Sequence, residues 1–148
     1  MNPFQCQRIL VPTDLSPLAE QAVRYAHGLA ELCKAELHVL HVLADESERA
    51  TMLAGVVDVG MDEDDNTGHV LAKLLGERGS VRRIEAVRVR RDIPAAICEY
   101  ARDEQLDLIV MSSHGRSGLS QALFGSVAME VLRSAPCPVL TVRASEKR

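Results

Sequence analysis

A chain of 148 residues with 47% hydrophobic content has the size and apolar fraction of one folded domain, which excludes a disordered chain. Its formal charge of -4 supplies no global positive field for nucleic acid or an acidic membrane surface, and aromatics at 3% with no Trp leave no stacking platform for single strands. The amino-terminal MNPFQCQRILVP lacks a basic region followed by an apolar stretch and a cleavage site, and no apolar run reaches the roughly 18 residues of a membrane span, so a cytoplasmic location without nucleic-acid or membrane partners is expected.

In chain order, RILVP (Arg8 to Pro12) reads as a first strand. SPLAEQAVRYAHGLAELCK follows as a helix, with Ser16 placed to cap it, Pro17 at its first position, and Ala22, Val23, Ala26, Leu29, Ala30 and Cys33 forming the inward stripe. AELHVLHVL (Ala35 to Leu43) is a second strand. Periodicity fades from residue 45 to about 68, where MDEDDNTG is acidic, and HVLAKLLGERG resumes a helical pattern. RIEAVRVR (Arg83 to Arg90) alternates as a third strand, and DIPAAICEYARDEQ forms a helix with Pro94 in its first turn and Ile97, Tyr100 and Ala101 facing inward. LDLIVMS is the fourth strand. A last helix begins near Gly125, carries Val127, Ala128, Val131, Leu132 and Ala135 on one face, and precedes a fifth strand, PVLTVR.

Strands alternating with helices predict one α/β domain over residues 1–148 with a parallel sheet. Right-handed crossovers make 3-2-1-4-5 the economical order, which places strands one and four side by side at the switch point where such sheets bind ligands. Thr13-Asp14 and Ser112 to Gly115 then face one crevice.

Between the fourth strand and the last helix, MSSHGRSGLSQALFGSV is polar and glycine-rich. Gly115, Gly118 and Gly125 can take positive φ and admit a ligand close to backbone, and Gly125-Ser126-Val127 opens a helix whose free N–H groups and dipole favour an anion. Asp14, across the crevice, is placed to accept hydrogen bonds from ribose hydroxyls. The plainer alternative has Gly118 and Gly125 merely turning the chain and Ser126 capping the helix. The loop matches neither the P-loop nor the dinucleotide fingerprint.

The segments ILVPTDLSPLAEQAV and YARDEQLDLIVMSSHGRSGLSQALFGSVAMEVLRSAPCPVLTVR, with the spacing between them, resemble the universal stress protein family over nearly the whole chain. The resemblance implies a Rossmann-like, adenine nucleotide alpha hydrolase-like sandwich with helices on both sheet faces. The family's nucleotide-binding branch carries Gly-x-x-Gly, nine residues, then Gly-Ser; Ser112, Gly115, Gly125 and Ser126 stand at those positions, so one glycine is a serine here. Position by position, the resemblance implies Pro12, Thr13, Val42 and Met111 around adenine, Asp14 and Ser112 near ribose, and Gly115, Gly125, Ser126 and Val127 at the phosphates. It further implies ATP, or AMP or ADP, with Mg2+ carried by the phosphates, and a homodimer through the strand Pro138 to Val142. The expected role is a nucleotide-dependent stress sensor, with a nucleotide-independent dimeric stress protein or a slow ATPase as alternatives.

Other motifs carry less. SSHG places His114 beside serines, but adjacent turn residues do not align as nucleophile and base, no orienting carboxylate is local, and no catalytic residue is assigned. DEDDNTGHVLAK fails as a calcium loop because Thr67 holds the turn-glycine position and Lys73 the closing-ligand position. His38 and His41, three apart on a strand, point to opposite faces, so no metal site is expected. Arg88 and Arg90 are charges on an edge strand that discourage pairing. Cys6, Cys33, Cys98 and Cys137 form no Cys-x-x-Cys pair and read as buried or idle thiols, with Cys137, between two prolines, placed for exposure.

Overall fold

In the computed structural model, residues 5–47, 80–113 and 125–143 are described. The acidic stretch with Asp62, Asp64 and Asn66, the helical pattern after it, and Gly115 with most of the glycine-rich loop lie outside them.

The elements are β1 (Arg8–Thr13), α1 (Pro17–Cys33), β2 (Glu36–Leu43), β3 (Arg83–Val89), α2 (Ile93–Asp103), β4 (Leu108–Ser112), α3 (Ser126–Ser134) and β5 (Val139–Val142). All five strands pair in parallel in the order β3-β2-β1-β4-β5, as the alternating pattern requires. β2 reads as a near-continuous apolar run because helices cover both faces: every residue from Leu37 to Leu43 is buried.

Side-chain alternation divides the interior in two. Ile9, Val11, Leu37, Val39 and Val110 meet Ala22, Val23, Ala26 and Ala30 of α1 on one face. Leu10, Leu40, Ile109 and Met111 meet Ile97, Tyr100 and Ala101 of α2 and Val131 of α3 on the other. The alanines let α1 lie close to the central strands, while each fully buried Leu or Ile contributes about 1.5–3 kcal/mol.

Helix ends obey local rules. Ser16 Oγ accepts the Ala19 N–H at 3.2 Å with Pro17 at the first position, and Asp92 caps α2 by accepting the Ala95 N–H at 3.0 Å. Lys34, with φ 54°, turns α1 into β2 while its N–H meets the Ala30 and Glu31 carbonyls.

Two expected inward side chains point out. Leu132 is 40% exposed, because α3 lies at the margin of the sheet and buries only Ala128 and Val131. Cys33 is exposed because it is the last residue of α1, at the rim beyond Ala30. Cys137 is half-buried and packs beside the second core, and burial pushes its thiol pKa up.

One buried polar chain locks α2 to the sheet. His38, 2% exposed, meets the Tyr100 hydroxyl through Nδ1 at 2.9 Å and Glu36 Oε1 through Nε2 at 2.8 Å. Arg82 Nε reaches the other Glu36 oxygen at 2.9 Å, and the Arg88 guanidinium lies 5.4 Å from the centre of the Tyr100 ring. His38 and His41 do face opposite sides, and Arg88 stacks on Tyr100 as well as guarding the edge. Burial pushes the Tyr100 pKa up, keeping the hydroxyl protonated. Replacing Tyr100 with Phe strands a buried imidazole nitrogen and should cost about 1–2 kcal/mol, read as a lower urea midpoint at unchanged slope.

Candidate functional site

The central seam of the sheet opens at its carboxyl end for a reason written in β1. The Gln7 carbonyl accepts the Glu36 N–H at 2.8 Å and the Arg8 carbonyl accepts the Asp107 N–H at 2.9 Å, so odd residues of β1 face β2 and even ones face β4. From β4, Ile109 and Ser113 donate to Pro138 and Val142 on the β5 side, which leaves Val110 facing β1. The next rung of the β1–β4 ladder therefore needs an N–H at position 12, aimed at the Val110 carbonyl. Pro12 has none.

The paired register of β1 with β4 accordingly stops at Ile9–Leu108 and Leu10–Ile109. On the outer sides pairing continues to the strand ends, Thr13 with His41 and Ser112 with Val142. At the switch point, where the chains leaving β1 and β4 part, lies a cavity of about 360 Å³, within the range of small-molecule sites.

The cavity collects Pro12, Thr13, Asp14, Val42, Met111, Ser112, Gly125, Ser126 and Val127, nine of the ten residues singled out from the sequence; Gly115 is outside the described residues. Leu40, His41, Ala44, Ile93, Ile97, Ser113, Ala19 and Ala128 also line it. Leu40 was legible two positions before Val42 on the same strand face, whereas Ile97 has a pattern indistinguishable from ordinary core.

One wall is a tight turn. The Leu15 N–H donates to Thr13 Oγ1 at 3.0 Å and the Ser16 N–H to Asp14 Oδ1 at 2.9 Å, with Leu15 at φ 61°. A left-handed leucine is a strained conformation of the kind that clusters at ligand sites, and these two side-chain bonds hold it. Asp14 also lines the cavity.

The opposite wall is the start of α3. The Gly125 N–H donates to the Ser113 carbonyl at 2.6 Å, which clasps the two ends of the glycine-rich loop. Gly125 is the cap residue, at φ -72° and ψ 164°, and supplies no side-chain hydrogen bond. Ser126 is the first helical residue, so the plainer alternative of a Ser126 cap does not hold, and Gly125 does not use the positive φ it was expected to allow; its lack of a side chain matters because it gives the first turn of α3 no side-chain cap of its own beside the cavity. Among the described lining residues none is Lys or Arg, and Asp14 is the one acid.

The whole forms a doubly wound parallel α/β protein with a ligand-sized cleft at the switch point, one side apolar and the other a helix start. The chain matches the universal stress protein family over residues 5–143, and it belongs to that family. It is 31% identical to universal stress protein YxiE of Bacillus subtilis, across 92% of this chain and 98% of that one. It is 29% identical to universal stress protein MJ0577 of Methanocaldococcus jannaschii, across 93% and 94%. The solved structure of hypothetical protein MJ0577 superposes with a TM-score of 0.73 at 30% identity, covering 97% of this chain and all 100% of that one. A universal stress protein solved in complex with cAMP superposes at 0.66 with 25% identity, covering 96% and 100%. Among the described residues no helix is long and apolar enough to cross a membrane.

If Pro12 is what ends the seam, Pro12→Ala restores a donor opposite Val110. The new amide at position 12 should then exchange slowly with deuterium, as a ladder hydrogen bond requires; fast exchange there would show that the seam opens for another reason.

Proposed function

We propose that the chain binds an adenine nucleotide, ATP with Mg2+ carried by its phosphates, in the cleft between β1 and β4, and works as a nucleotide-dependent stress-response regulator. The observation that carries this reading is the start of α3, where Gly125 supplies no side-chain cap, lining the same cavity as Asp14. Helix N–H groups and the dipole suit an anion, and a carboxylate on the opposing wall suits ribose hydroxyls. Leu40, Val42, Ile93, Ile97 and Met111 offer an apolar bed for a base. The cAMP complex of a related protein supports the same ligand class.

The ten residues divide by position. Pro12, Thr13, Val42 and Met111 take adenine, Asp14 and Ser112 take ribose, and Gly115, Gly125, Ser126 and Val127 take phosphate. With no Lys or Arg among the described lining residues, phosphate charge is met by backbone N–H groups, the Ser126 hydroxyl and the accompanying ion. No group in the cleft is assigned as general base, so the site serves binding, with the nucleotide state as its output.

Gly125→Asp puts a carboxylate at the start of α3 and should abolish ATP binding measured by calorimetry, together with the thermal shift that Mg-ATP gives the wild type. At a hundredfold excess over Kd that shift corresponds to about 2.7 kcal/mol. Wild-type affinity in the variant would refute the phosphate assignment.

The homodimer is proposed through β5, the outer strand beyond β4, where Leu140 is 36% exposed. Thr141→Pro removes a backbone donor from that edge and should convert the dimer to monomer in sedimentation; an unchanged dimer would exclude the edge.

A further inference from the structure

Cys6 and Cys33 bracket the β1–α1 unit, one just before the strand and the other at the last turn of the helix. The turn at Lys34 reverses the chain, with the Ala35 N–H on the Ala30 carbonyl at 2.9 Å, and the Glu36 N–H then joins the Gln7 carbonyl at 2.8 Å. This zips residues 6 and 7 alongside the end of α1. Cys6 is buried at 8% exposure in a core that includes Ala30 and Ala35, Cys33 is exposed on the adjoining rim, and after burial Cys33 is the neighbour that acts most on the Cys6 thiol. Two thiols on adjoining segments, one shielded and one open to solvent, have the arrangement of a resolving and an attacking cysteine.

We propose that Cys6 and Cys33 are a redox modification site, closing into an intramolecular disulfide when a low-molecular-weight disulfide such as oxidised glutathione reaches Cys33. The Cys33 thiolate attacks one glutathione sulfur, forming a mixed disulfide and releasing the first glutathione as thiol. Cys6, after losing its proton to solvent, attacks the Cys33 sulfur and releases the second glutathione. The protein pair is oxidised by two electrons and one glutathione disulfide is reduced to two thiols. Burial, and then the neighbouring Cys33, push the Cys6 thiol up to about 11, so the second step is the slower one. The product is a covalent ring around β1 and α1, the unit whose opposite end carries Pro12, Thr13 and Asp14.

The test incubates the reduced full-length protein with oxidised glutathione, quenches with acid, and reads intact mass and unreduced peptide maps. The expected product has lost two hydrogens and yields one linked peptide pair, Cys6 with Cys33. Cys33→Ser, at an exposed position, should form no such link, and Cys6→Ser should keep glutathione on Cys33 that the wild type clears. A lasting glutathione adduct on wild-type Cys33 without a cross-link overturns the proposal, as does a link between Cys98 and Cys137 in its place. The wild-type map decides the question even if Cys6→Ser folds poorly.

Discussion

The cleft sits where the central seam of the sheet lacks one hydrogen-bond donor. In a five-stranded parallel sheet every interior seam should zip along its length, and the seams on either side of the β1–β4 pair do. Pro12 interrupts only the central one, because its nitrogen faces β4 and has no proton to give. The rung is lost at the place where winding direction reverses, where the chains leaving β1 and β4 diverge to become the two walls of the cleft. A proline in a central strand would elsewhere weaken the fold; at the last turn of β1 it shapes the site at small cost, since the β1–β2 ladder holds the strand.

The two walls are built by complementary means. At the β1 end, side chains are spent on their own backbone: Thr13 and Asp14 hold a left-handed Leu15, and Ser16 caps α1. At the β4 end the reverse holds, since Gly125 withholds a cap from α3 and uses its own N–H to clasp Ser113. One helix start is therefore capped by its own side chain, and the other, beside the cavity, has no side-chain cap from Gly125. That asymmetry gives the cleft its polarity, with a carboxylate on one side and N–H groups on the other.

At the opposite rim of the sheet, the chemistry is that of closure. Asp107 accepts the Gln7 and Arg8 N–H groups at 2.8 and 2.9 Å, and the Glu36–His38–Tyr100 chain ties β2 to α2. Cys6 and Cys33 sit within this tied region, remote from the cleft. The sheet thus has its amino-terminal rim tied and its carboxyl-terminal rim open at the switch point.

Much of this was legible in the sequence. Alternating strand and helix periods, Ser16-Pro17 and the glycines after β4 are local features, and local features determine element type, helix starts and the class of fold; the spacing of Asp14, Ser112 and Gly125 then places them on one crevice once parallel order is assumed. Tertiary structure alone decided which side each backbone group faces. That is why Pro12 reads from the sequence as a strand end and from the structure as the residue that opens the seam, and why Gly125 acts through an absent side chain and not through a positive φ. It also decided that Leu132 and Cys33 lie outside the stripes their periodicity suggests, because burial depends on how far a neighbouring layer extends, and that two cysteines far apart in the chain come to adjoining segments, because chain reversal at Lys34 is invisible in their spacing.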